Sequence, residues 1–311
     1  MTSQIYKLPS AEPSVILLIP TVEGRVFLPE TLASVREHAH CFDRLLLSVN
    51  GATPYKAEQI LLEQGFNLNV DTTLFCTRRN LSARQHFRFI HKKLPRHARN
   101  QDLIFLLADD DILPAHADIL EYIQAVQDEN NGSVGMGRFA TFDESSLIPS
   151  AQSQHIEPGE SISPLEFLQR NEKGHRMTNI SSMLIPYSIF KQASSFMWIL
   201  GSSGRRTEYI FATHRSVNLL YSPPGSSALI RQHPGQEGRT LSFQSYLLDE
   251  LVYISWVWIH QPAMRPWAQT VVQEFKASRF RSLLQELIKR RLNINAHWLY
   301  LLANKVKSLY R

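Results

Sequence analysis

The sequence predicts an α/β protein: a mixed, mostly parallel sheet with helices on both faces, plus a C-terminal basic helical extension. Three observations carry this. Short apolar runs without alternation, such as VILLI at 15–19 and LIFLL at 103–107, have the pattern of strands buried on both faces. They take turns with segments of helical periodicity, as a parallel sheet with crossover helices requires. The strongest run passes directly into three consecutive aspartates, Asp109, Asp110 and Asp111.

The elements follow in order. Residues 15–19 form a strand ended by Pro20, and a helical pattern runs from Pro29 to His38. Residues 44–49 are a second strand, stopped by Asn50-Gly51, a turn dipeptide. A helix spans Tyr55 to Gln64, a weaker strand lies at 68–75, and Asn80 opens a helix to Leu94. After the strand at 103–107 come a helix from Ala115 to Glu129 and a strand at 133–139. Residues 141–163 are rich in Ser, Pro, Glu and Gly and read as a loop. Beyond them the pattern gives a helix at 164–170, a strand at 181–185, helices at 187–194 and 205–215, and strands at 217–221 and 227–231. A long helix at 240–260 and two or three basic helices finish the chain. We expect one body at 1–260, in two halves at 1–140 and 141–260, and a basic amphipathic tail at 261–311.

Composition excludes several classes. The 311 residues are 43% hydrophobic and 20% charged, which is globular rather than disordered. Cys41 and Cys76 are the only cysteines, so the expectation is a reducing compartment and no disulfide framework. The N-terminus carries no basic-then-apolar leader pattern. The most apolar stretch, 247–264, is broken by Asp249, Glu250 and His260, and predicts no membrane span. The net charge of +5 is concentrated: residues 265–311 hold ten Lys and Arg against Glu274 and Glu286, leaving the body mildly acidic. Apolar residues Phe280, Leu283, Leu284, Leu287, Ile288 and Leu292 recur there at helical spacing among arginines and lysines. Such a helix suits an anionic membrane surface, a partner or second subunit, or the body of its own chain.

The acidic triplet is the sharpest chemical feature. Adjacent carboxylates repel, and burial raises the cost. At the carboxyl end of a central strand, where open α/β sheets bind ligands, they suit a divalent cation held by hard oxygens. A solvated turn with Asp111 capping the next helix is the simpler alternative. His86, His91, His97 and His116 lie near the triplet in sequence but lack zinc-site spacing, and read mostly as surface residues.

Six segments in order resemble the family-2 glycosyltransferases, inverting enzymes of the GT-A (nucleotide-diphospho-sugar transferase, Rossmann-like) fold, over about residues 14–240. They are SVILLIPTVEGRVFLPETLASV, RLLLSVNGA, TRRNLSARQHFRFI, the strand ending LADDDIL, GRRTEYIF and ALIRQHPGQ. The resemblance implies that Pro20, Thr21 and Glu23 embrace the base and ribose, and that Asn50 stands where an Asp commonly contacts them. It brings Asn80 and Arg84 toward the nucleotide, Asp109 and Asp110 to the donor site with Asp109 facing the ribose, and Asp111 with Asp109 to the metal. Glu208 matches the general base, though Tyr209 replaces the acid that usually follows it. His233 matches a residue reaching the metal or diphosphate, and Arg231 one neutralising phosphate charge.

The expected activity is therefore inverting transfer from a UDP- or dTDP-linked sugar to a glycan or lipid-linked acceptor, in cell-surface polysaccharide or lipopolysaccharide synthesis. It would use Mn²⁺ or Mg²⁺, in the cytoplasm or peripherally on the inner face of the membrane. The chemistry needs a base opposite the leaving group and positive charge where the diphosphate departs. The competing class is a non-catalytic sugar-nucleotide-binding scaffold. Nucleotidyl transfer fits less well, because VEGRV is a poor phosphate loop. No nucleic-acid module is expected.

Overall fold

The computed structural model describes residues 13–66, 72–128, 132–143, 146–150, 156–157, 159–171, 179–197, 207–221, 226–233, 253–254, 256–258 and 261–274. Its first half alternates as the sequence predicts. β1 (Val15–Val22), α1 (Leu28–Glu37), β2 (Arg44–Asn50), α2 (Pro54–Glu63), β3 (Thr72–Thr77), α3 (Ala83–Lys93) and β4 (Leu103–Leu106) are followed by α4 (Ile119–Asp128) and β5 (Val134–Met136). The order continues with β6 (Arg138–Asp143), β7 (Ser146–Ser150), β8 (Ser161–Ile162), α5 (Pro164–Asn171), β9 (Met183–Pro186) and α6 (Tyr187–Met197). Then come α7 (Thr207–Ala212), β10 (Leu220–Tyr221), β11 (Ser226–Gln232) and α8 (Arg265–Glu274).

Eight strands form the main sheet in the order β3-β2-β1-β4-β9-β5-β10-β8. The first four run parallel, which brings the carboxyl ends of β1, β2 and β4 to one edge. β9 runs antiparallel to both β4 and β5, so its beginning arrives at that same edge. A second sheet, β11-β6-β7, lies beside it, with β11 parallel to β6.

Period-two burial explains the packing. Ile16, Leu18, Leu46, Ile104 and Leu106 face one core, whereas Leu17, Ile19, Leu45, Leu47, Phe105 and Leu107 face the other. Both faces are thus apolar, which is why these strands show no polar alternation. Helix starts follow local rules. The Thr53 side chain caps α2 ahead of Pro54, and Ser82 with Gln85 forms a capping box at α3. At the opposite end of the sheet, buried Asp102 accepts from the Ser14 and Arg99 amides, so this acid is a structural tie.

Several expectations need correction. The segment expected as one strand at 133–139 is two strands in different sheets, separated at Gly137, whose amide donates to the Ser182 carbonyl at 2.7 Å. The 141–163 segment, read as a loop, contains the end of β6 and all of β7 and β8. β7 pairs only with β6, so as an edge strand it accommodates Pro149 and needs no apolar run. The helix expected from Ala115 begins at Ile119, and the strand expected at 217–221 is only Leu220–Tyr221. Of the long helix expected at 240–260, residues 253–254 and 256–258 are described and helical. The start of the expected tail packs on the body: Met264 and Ala268 are buried in the same core as Tyr253, Trp256 and Val257. The rest of the tail, 275–311, lies outside the described residues.

Candidate functional site

The three aspartates sit just past β4, at the carboxyl edge of the parallel strands. The Ala108 amide donates to Ser181 Oγ at 3.0 Å, anchoring the loop to the segment entering β9. The triplet avoids mutual repulsion by giving each carboxylate different partners. Asp109 accepts from the Thr21 hydroxyl at 2.6 Å and faces Arg25 Nε at 3.4 Å. Asp110 meets His233 Nε2 at 3.0 Å, and the imidazole donates when the proton is on that nitrogen. Asp111 is buried, accepting from Ser181 Oγ at 2.6 Å on one oxygen and from the Arg231 amide at 3.1 Å on the other.

Burial pushes the Asp109 carboxyl above its ordinary range. The Thr21 hydrogen bond and Arg25 pull it back, and the neighbouring Asp110 charge adds to the upward push. The resemblance implies Asp111 at the metal with Asp109 and His233; in the structure both Asp111 oxygens accept hydrogen bonds from the fold. The carboxylate that meets His233 is Asp110.

Arg231, expected at the phosphates, is tied into the fold. Its guanidinium is almost entirely buried, stacked between Phe27 at 4.2 Å and Phe142 at 4.8 Å. It also pairs with Glu30, and its Nε donates to the Asp110 carbonyl at 3.1 Å. Arg231 therefore ties β11 to α1 and to the acidic loop. Phe27 also covers the His233 ring, 4.9 Å between centroids, so the two residues of the Arg-x-His segment share one aromatic wall.

The β1 and β2 ends complete the edge. Pro20 is half-buried in β1, next to buried Thr21. The Glu23 amide donates to the Asn50 carbonyl at 2.9 Å, and its carboxylate pairs with Lys56 at 2.5 Å. Asn50, expected to meet the base or ribose, is 1% exposed and saturated. Its Nδ2 donates to Asn80 Oδ1 at 3.1 Å and to the Leu81 carbonyl at 2.7 Å. Its Oδ1 accepts from the Thr77 hydroxyl at 2.9 Å and from the Leu81 amide at 2.8 Å. Only an amide satisfies a carbonyl and an amide of the same residue at once, so a carboxylate would fail here. Asn80 is exposed. Arg84 lies in the first turn of α3, and its side chain is outside the described set. Glu208 comes from the second half of the chain, half-buried in the first turn of α7, where Tyr209, Ile210 and Phe211 enter the core.

Sequence reasoning missed Arg25, Phe27, Glu30, Phe142 and Ser181, all of which touch the triplet or its supports. It also placed His86 at the surface. His86 is buried, hydrogen-bonded to Ser48 Oγ at 2.8 Å, and burial pushes its pKa down to about 4. A separate cleft of about 310 Å³ is lined by His38, Cys41, His116 and Asp118, among others, and by none of the triplet. Among the described residues, no three His, Cys, Asp or Glu side chains converge as a formed metal site, and no helix is long and apolar enough to cross a membrane.

No protein-family model matches the sequence, and neither does any curated protein. Solved structures do match. Staphylococcus aureus TarS 1–349 in complex with UDP-GlcNAc is 10% identical with a TM-score of 0.55, covering 95% of this chain and 83% of that one. S. aureus TarS 1–349 alone is 11% identical with a TM-score of 0.51, covering 91% and 72%. A longer S. aureus TarS chain is 9% identical with a TM-score of 0.49, and 90% of this chain spans 44% of its length. What the two higher-scoring neighbours share with this chain is the architecture, a GT-A-like α/β fold on a mixed, mostly parallel sheet.

Proposed function

We propose that the protein is an inverting glycosyltransferase of the family-2 type, moving a sugar from a nucleoside diphosphate to an acceptor hydroxyl. The observation that carries this is the convergence at one sheet edge. The ends of β1 and β2, the acidic loop after β4 and the His233 end of β11 meet where an open α/β sheet takes a nucleotide. Support for a uridine donor comes from the neighbour that was solved with UDP-GlcNAc; a dTDP-linked donor is the alternative.

In this reading Asp110 and His233 hold Mn²⁺ or Mg²⁺. The Asp110 carboxylate suits either ion, an imidazole nitrogen suits Mn²⁺ better than Mg²⁺, and the two side chains already meet at 3.0 Å. The ion, when bound, supplies positive charge to the departing diphosphate. The chain's own residues do the rest. Thr21 and Asp109 line the ribose side, the Asn50 network shapes the loop bearing Asn80, and Arg231 with Phe27 fixes the His233 ring. Glu208 takes the proton from the acceptor hydroxyl, on the face opposite the leaving group. The basic segment at 275–311 brings the enzyme to anionic membrane carrying a lipid-linked acceptor.

Calorimetric titration of UDP, dTDP and GDP, with and without Mn²⁺, tests the donor site in wild type and Asp110→Ala. Metal-dependent binding of one nucleotide, lost in the variant, is expected. No binding of any nucleotide refutes the reading. Sedimentation with anionic vesicles at low salt tests the tail, and protein left in the supernatant removes the membrane part.

A further inference from the structure

The three aspartates differ in how their charge is matched, and the difference singles out a residue so far without a role. Asp110 is met by His233 from β11, and Asp111 by the Arg231 amide and Ser181. Asp109 alone is faced by a cation at the surface. The Arg25 side chain is 44% exposed and meets Asp109 through Nε at 3.4 Å, a single long contact. Among the described residues its two terminal nitrogens have no hydrogen-bond or ion-pair partner. The residue sits in a turn directly after β1, where Gly24 has φ +81° and the Arg25 amide reaches back to the Val22 carbonyl. Val26 beside it is 79% exposed, and Gly24 and Arg25 are exposed with it.

An exposed one-point ion pair holds weakly. A guanidinium edge with two free N–H groups is, by contrast, the geometry that clasps a phosphate at two points. We propose that Arg25 binds the diphosphate of the nucleotide through its terminal nitrogens, while its Nε side remains the counter-charge of Asp109. The same side chain then opposes cation entry next to Asp109 and favours diphosphate entry, so the two ligands respond to it with opposite sign. The inference rests on the donor reading above and adds a phosphate-binding residue to it.

The test uses the full chain, with Arg25→Ala and Arg25→Lys, checked for unchanged melting. Calorimetry measures inorganic pyrophosphate in chelator and UDP with Mn²⁺, and paramagnetic resonance measures Mn²⁺ alone. Arg25→Ala is expected to weaken pyrophosphate and UDP by about ten-fold or more, and to tighten Mn²⁺ by roughly two- to five-fold. Arg25→Lys is expected to restore the Mn²⁺ value and only part of the phosphate affinity. Pyrophosphate affinity equal in wild type and Arg25→Ala overturns the proposal, as does joint weakening of phosphate and Mn²⁺, which marks a structural role. If pyrophosphate distinguishes the variants while no nucleoside diphosphate binds, Arg25 stands as a phosphate ligand and the sugar-nucleotide reading falls.

Discussion

His86 makes stability depend on pH in a way the structure specifies. It projects from α3 to Ser48 on β2, 4% exposed, and the surrounding core pushes its pKa from 6.5 down to about 4. Between those two values the unfolded chain accepts a proton that the folded chain refuses. Stability is therefore full above about pH 6.5 and declines as pH falls through the window toward 4. For a single group with these two pKa values, moving from pH 7.5 to pH 5.0 costs about 2 kcal/mol. The assay is urea unfolding at both pH values for wild type and His86→Gln, whose amide can still face the Ser48 hydroxyl. Titrations common to both proteins cancel in the difference. Wild type should lose about 2 kcal/mol more than the variant across this interval. Equal losses would show that His86 is not held neutral, and with it would go the account of how α3 is fixed beneath the β2 edge.

The remaining predictions separate residues that bind from residues that hold. Asp111→Ala should destabilise the fold by about 2–4 kcal/mol in denaturant unfolding, because the Ser181 O–H and the Arg231 amide both lose their acceptor. Asp110→Ala should change stability little and abolish Mn²⁺-dependent nucleotide binding; the reverse pattern would return the metal to Asp111. Asn50→Asp should cost about 2–3 kcal/mol, since a carboxylate cannot donate to Asn80 Oδ1 or the Leu81 carbonyl. Glu208→Gln should leave donor affinity unchanged and slow transfer by roughly 10²–10⁴ in a radiolabelled-sugar assay; turnover near wild type would remove Glu208 as the base.

The first half was legible because its strands are buried on both faces and its helices carry their own caps. VILLI, RLLLSV and LIFLL declare strands without help from the rest of the chain, and Ser82 with Gln85 declares where α3 begins. The second half gave weaker signals for physical reasons. MLIP in β9 is as apolar as a parallel strand, and burial on two faces carries no record of direction. β7 is a Pro-containing edge strand, so nothing in its composition distinguishes it from a loop. The 133–139 run crosses from one sheet to another at Gly137, and a glycine within a strand pattern does not say that the partner sheet changes.

At the site, the kinds of residue were legible and their division of labour was not. Three adjacent carboxylates announce that repulsion must be relieved, but the relieving groups are far away in sequence. Thr21 is 88 residues from Asp109, Ser181 is 70 from Asp111, and His233 is 123 from Asp110. Those partners decide function. A carboxylate whose two oxygens take a buried hydroxyl and a backbone amide, as Asp111 does, ties the loop to the β11 end. A carboxylate facing an imidazole keeps a partner that can turn to share the same cation, as in Asp110 with His233. One facing an exposed guanidinium, as Asp109 does, keeps a partner that can reach outward to an anion. Which counter-charges in an acidic run are exchangeable is thus a property of the folded neighbourhood that residue order alone does not carry.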